Sequence, residues 1–171
     1  MTMANKQALR VFGAIALALA ASGSVAARSG PNRPVPAHPI LGPDGQPQTG
    51  LQVIPMTIHS RHGSHSFRVQ FARTEEQQQK GLMFRRQMAP DEGMLFPMIP
   101  PRVASFWMHN TVIPLDIIYI TRDRRIESIN ANATPYSDDP IYSHGVVSAV
   151  LELNGGRAAQ LGLAPGDKVV W

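Results

Sequence analysis

FWMHNTVIPLDIIYI, residues Phe106 to Ile120, sets two apolar segments around a short polar joint. Val103–His109 and Leu115–Ile120 are rich in aromatic and β-branched residues, which suit a pleated, half-buried surface. Between them Asn110, Thr111 and Pro114 interrupt any ladder. Asn and Thr side chains bond nearby backbone, and proline has no N–H to donate. The stretch predicts two strands joined as a β-hairpin or a tight corner.

Working outward, Leu51–Ile58 and Ser66–Ala72 predict a first hairpin around the turn-rich SRHGSH segment. Phe67, Val69 and Phe71 share one face and Ser66, Arg68 and Gln70 the other, the pattern of a sheet with one wet side. Thr74 opens a short helix: Thr74 with Gln77 fits a capping box, Glu75 and Glu76 suit the positive helix start, and Gly81 closes it. Its polar residues need Leu82, Met83 and Phe84 to pin them. Arg85–Glu92 is a polar loop, Gly93–Met98 a short strand, and Pro100-Pro101 a break in the chain. Beyond Ile120, TRDRR predicts a turn into a strand at Ile126–Ile129, followed by irregular chain over Asn130–Gly145. Val146–Leu153 is a clear strand. Asn154 is placed to cap a helix over Gly156–Leu161 that Gly162 ends, and Pro165-Gly166 turns the chain into Lys168–Trp171. Many short strands with two brief helices predict a mostly β fold, a small single-domain barrel or sandwich-like barrel.

The chain has 171 residues, room for one domain. Met1–Ala27 has the form of a secretory signal peptide: Lys6 and Arg10 precede the apolar run Val11–Ala21, and Val25-Ala26-Ala27 offers a cleavage site. That run is short of the roughly 20 residues of a membrane span, so no span is expected after cleavage. No Cys occurs, which excludes both a lipid-anchored Cys and disulfides. Residues 28–50 carry six prolines and four glycines, predicting a flexible leader ahead of a domain over 51–171. The sequence pI is about 10.0, but two of the 16 basic residues fall in the signal peptide. The remaining 14 face 12 acidic residues and are spread out, unlike the concentrated charge of a nucleic-acid binder.

Three blocks, GLMFRRQMAPDEGMLFPM, FWMHNTVIPLDIIYI and LELNGGRAAQLGLAPGDKV, together resemble one family, the domain of unknown function 192. The resemblance runs from about Gln52 to Val170 and implies a small, mostly β domain, often exported, with no established reaction. Positions carrying the pattern include Gly81, Met83, Arg85, Gly93, Trp107, Asn110, Pro114, Asp116 and Glu152. His109 departs from it, since the family commonly has Lys there.

Asp116 lies inside an apolar strand, where a carboxylate needs hydrogen bonds or a cation. It either accepts backbone N–H bonds from the Asn110–Pro114 corner or acts as an acid/base or ligand anchor. Glu152 has the same character, with Arg85 or Arg86 as potential partners. Should Asp116 and Glu152 converge in a cleft, a two-carboxylate hydrolase becomes conceivable. Trp107 is either core or the wall of a groove beside His109 and Asn110. Met83, Met88, Met94, Met98 and Met108 offer thioethers that select Cu(I), or simply fill the core. His59, His62 and His65 sit in a turn without a Cys or carboxylate close by. No nucleotide, zinc-protease or hydrolase motif is present.

These readings converge on a monomeric periplasmic or secreted module that binds a small molecule or cell-envelope component, with no cofactor, metal or nucleic acid. Trp107, His109, Asn110 and Asp116 would form its groove, and Arg85, Arg86 and Glu152 its rim. The alternatives are an envelope hydrolase using Asp116 and Glu152, and a Met-rich copper-binding protein.

Overall fold

The computed structural model describes residues 45–171. The signal peptide expected over 1–27, and the leader as far as residue 44, lie outside them. The described elements are β1 (Val53–Ser60), β2 (Gly63–Phe71), α1 (Glu75–Lys80), β3 (Glu92–Phe106), β4 (Leu115–Ile120), β5 (Ile126–Ala133), β6 (Ile141–Asn154), α2 (Arg157–Leu161) and β7 (Lys168–Val170). The seven strands form one curled sheet, a half-barrel, in the order β5-β4-β6-β3-β2-β1-β7.

β1 and β2 form the expected first hairpin, paired from Val53–Gln70 to Ser60–Gly63. The capping box of α1 is also present, with Thr74 and Gln77 side chains each accepting from the other's backbone N–H and Gly81 closing the helix. The hairpin expected from residues 106–120 does not form. β3 and β4 both pair antiparallel with β6, which lies between them. The joint is instead a crossover between two strands that run in the same direction.

That crossover forces the sheet to bend. Phe106 faces Ile141 at the start of β6, and Leu115 faces Asn154 at its end. A straight β6 of 14 residues would span about 43 Å at about 3.3 Å per residue. The linking residues 107–114 reach about 32 Å at most. The curl closes this gap. Pairing between β3 and β6 skips register between Pro97 and Arg102 and again between Val103 and Ser105. Pro100-Pro101 therefore does not end the strand as expected. It sits, after a cis Ile99-Pro100 bond, in residues that lack partners on β6, where a missing N–H costs no ladder bond.

Strand β4 and the Ala149–Leu153 part of β6 are buried on both faces. One apolar cluster draws residues from all seven strands, among them Ile58, Val69, Leu95, Ile118, Leu151 and Val169, and fills the concave side. A second, including Met94, Phe96, Met108, Ile117, Tyr119 and Val150, covers the outer side. The inner cluster is continued by Ala158 of α2 and by Leu163. At one end the two edges of the sheet meet: Ile126 N–H donates to Asp167 O, Gly166 N–H to Ile126 O and Val169 N–H to Arg124 O.

The last residues of the predicted flexible leader are held in place. The Gln48 amide donates to the carbonyls of Gln77 and Gly81 at 3.0 and 2.7 Å, so contacts with the domain reach ahead of residue 51. Among the described residues no helix is long and apolar enough to cross a membrane.

Candidate functional site

The groove of interest lies between α1 with the turn after it and the end of β3 with the loop into β4. It encloses about 830 Å³. Lys80, Met83 and Phe84 line one side, and Phe106, Trp107 and His109 the other. Trp107 is 49 % exposed, so it is groove wall rather than core. Its ring stacks on His109, with centroids 4.9 Å apart and planes at 25°. His109 Nδ1 lies 2.7 Å from Asp138 Oδ1. Met108, between them, is fully buried. Asn110 holds φ 52° and accepts the Phe84 N–H at 2.8 Å, tying the two walls together.

A small recess of about 30 Å³ shares Met83, Phe106, Trp107 and His109 with the groove and adds Thr111 and Glu152. Glu152 belongs to β6, opposite Ile117, on the outer side of the sheet. It is 4 % exposed, and burial pushes its carboxyl up from the ordinary 4.5 to about 8. Tyr119 is raised above the usual phenol range, by burial first and then by Glu152 and Glu127.

Asp116 is elsewhere. It pairs with Leu153 and so faces the inner side. Its Oδ1 accepts from Asn132 N–H and Gly156 N–H, both at 2.9 Å, and its Oδ2 from Ala158 N–H at 2.7 Å. The backbone reading of Asp116 is correct in kind, but the donors belong to β5 and the start of α2, not to the Asn110–Pro114 corner. Gly156 makes no side-chain cap for α2. Asn154, expected to supply one, donates instead to the carbonyls of Met88 and Ala89. Because neighbours along a strand point to opposite faces, Asp116 and Glu152 cannot act on one bond, and the paired-carboxylate arrangement does not form.

Arg85 and Arg86 do not reach Glu152 either. They line a second hollow of about 580 Å³ with Gln48, Gln70 and Gln87. Arg85 Nη2 donates to Gln70 Oε1 at 2.6 Å, and its buried Nε has no hydrogen-bond partner among the described residues. Phe84, at φ 63°, separates the two hollows and lines both.

The thioethers serve as packing: Met94, Met98 and Met108 are buried in the outer cluster with Met88 packed against it, while Met83 lines the groove. His59 and His65 bond Ser64 and Ser60, and His62 accepts from Arg61. Among the described residues no group of three or more His, Asp or Glu is placed to hold a metal. Sequence reasoning missed Phe84, which lines the groove, and Thr111, which lines the recess. The apolar LMF segment after a wholly polar helix was the available signal for the first of these.

Among curated proteins none matches the chain. Among solved structures, a protein of unknown function from Novosphingobium aromaticivorans DSM 12444 is similar at 52 % identity and TM-score 0.71, over 77 % of this chain and 94 % of that one. A candidate transcription regulator from Sinorhizobium meliloti 1021 is similar at 40 % identity and TM-score 0.69, over 72 % and 96 % respectively. Residues 57–171 match the model of DUF192, described as an "Uncharacterized ACR". With two thirds of its length matched and its three signature blocks in place, this chain belongs to the DUF192 family.

Proposed function

We propose that this protein is an exported β module of the cell envelope that binds a small ligand in the Trp107 groove without transforming it. One observation carries the reading: an open groove of about 830 Å³ presents a half-exposed Trp107. Small-molecule sites commonly occupy about 300–1,000 Å³ and are lined by aromatic and apolar groups with a few polar ones. Trp107 and Phe84 supply the apolar area, while His109 and Asn110 offer polar contacts. Binding rather than hydrolysis is supported by Asp116 and Glu152 lying on opposite faces of the sheet. Export rests on Lys6, Arg10, the apolar run to Ala21 and the small residues at 25–27. The expected form is a monomer in the periplasm or outside the cell.

A thermal-shift and tryptophan-fluorescence screen of the full chain against envelope sugars, peptides and amines tests the reading, because a ligand selective for the native state raises its melting temperature. Trp107→Ala should abolish every such shift while leaving the unliganded melting temperature within a few degrees. Shifts unchanged by Trp107→Ala would place binding outside this groove and overturn the proposal. Cell fractionation with mass measurement of the mature N-terminus tests export: a chain retained uncleaved inside the cell would remove that part.

A further inference from the structure

We propose that the recess beneath Trp107 takes the ammonium group of a primary amine, held by the Glu152 carboxylate. This rests on the ligand-binding reading above and narrows its ligand to a cation with an apolar body.

The argument starts from Glu152 itself. Its carboxyl is 4 % exposed and lines the recess. Among the described residues no hydrogen bond or ion pair engages it. Buried carboxylates are normally paired or hydrogen-bonded, so this one presents unfilled acceptor capacity to the recess. The titratable groups facing it come from three elements, and each is engaged elsewhere. Lys80 of α1 places its ammonium 5.9 Å from the Phe84 ring centroid. His109 of the crossover bonds Asp138. Tyr119 of β4 donates its hydroxyl to Ile141 O at 2.8 Å. Farther out, Glu75, Glu76 and Arg102 border the groove.

Size and charge then select the occupant. A recess of about 30 Å³ exceeds the roughly 10–15 Å³ of probe-occupied volume that admits one water molecule, and an ammonium group is of similar size. An anion would gain no charge attraction from the protonated carboxyl and would be repelled once it ionises. Phe106 and Trp107 border the same recess, and aromatic faces attract cations within about 6 Å. The groove above accepts the rest of the molecule, against Met83 and Phe84. Because burial holds the proton on Glu152 up to about pH 8, uptake of an ammonium near neutrality expels that proton to solvent. The carboxyl becomes carboxylate as the ion pair forms.

The test uses the full chain with 2-phenylethylammonium and its neutral counterpart 2-phenylethanol, by isothermal titration calorimetry. The amine should bind at least about tenfold more tightly than the alcohol, a difference of about 1.4 kcal/mol. Its affinity should rise at least about tenfold from about pH 6 to about pH 9, a range in which an alkyl ammonium with pKa about 10.4 stays charged. Glu152→Gln should remove both the preference and the pH dependence, and buffers of different ionisation enthalpy should report proton release by the wild type. The pH series on the wild type stands by itself if the variant fails to fold. Equal binding of amine and alcohol, with both lost in Trp107→Ala, would overturn the ammonium assignment and leave the groove reading intact. Binding of neither, alongside a sugar or peptide that binds through Trp107, would do the same. Binding of no probe at all would overturn both.

Discussion

The backbone N–H of Phe84 donates to the carbonyl of Asn110 at 2.8 Å, and both residues hold positive φ, 63° and 52°. A bulky side chain rarely occupies that region, and such positions cluster at ligand sites and switches. The bond locks the turn after α1 to the crossover and sets the mouth of the groove. Asn110→Gly should therefore leave stability within about 0.5 kcal/mol, since glycine adopts this φ freely. Asn110→Val should cost about 1–3 kcal/mol. Urea denaturation of the two variants reads the contrast.

Asp116 joins three segments through three backbone N–H groups, those of Asn132, Gly156 and Ala158. Asp116, itself fully buried, leaves these donors without their acceptor when changed to Ala, and the loss should reach about 3 kcal/mol. Hydrogen exchange supplies a local readout: the amides of Gly156 and Ala158 should lose protection before those of β1 and β2.

Glu152 predicts an unusual pH profile of stability. Its folded value is raised from 4.5 to about 8, so the folded chain holds this proton more tightly than the unfolded chain. Below about pH 4.5 both states are protonated and the contribution is complete. As pH rises toward 8 the unfolded state ionises first and stability falls, by up to about 1.4 kcal/mol per pH unit, levelling off above 8. Urea midpoints measured across this range should decline in the wild type and flatten in Glu152→Gln.

Gly93 of β3 packs tightly against β6. A Cβ built there would stand 2.5 Å from Glu152 O and 2.8 Å from Leu153 Cδ2, and the backbone carbonyl cannot yield as a side chain would. Gly93→Ala should lower stability by about 1–3 kcal/mol, seen as a drop in melting temperature.

What the sequence made legible was local. The Thr74–Gln77 box and the alternation Phe67-Val69-Phe71 depend on residues a few positions apart, and each stands as expected. The strand at Val146–Leu153 is present but begins at Ile141, and β5 continues to Ala133, so both extend into the stretch Asn130–Gly145 expected to be irregular. The insertion of β6 between β3 and β4 depends on partners far along the chain, for which no pattern within residues 106–120 is diagnostic. Asp116 shows the same limit. Its burial was readable from Leu115 to Ile120, but its donors lie 16, 40 and 42 residues away. Arg85 was paired with Glu152 by charge alone, whereas Phe84 at positive φ stands between their hollows. Trp107 was ambiguous because the strand before it ends at Phe106, after which alternation no longer says which way a side chain faces.

The meeting of Arg124–Ile126 with Gly166–Val169 bears on how this chain behaves in a crowded compartment. An unpaired strand is a template on which another chain can extend the ladder, and β7, only three residues long, covers part of β1 while bonding the chain beside β5. Removing the last four residues would uncover backbone donors and acceptors on both flanks at once. The shortened protein should self-associate through added strands, because Lys168-Val169-Val170-Trp171 clasps two backbone edges that would then lie open.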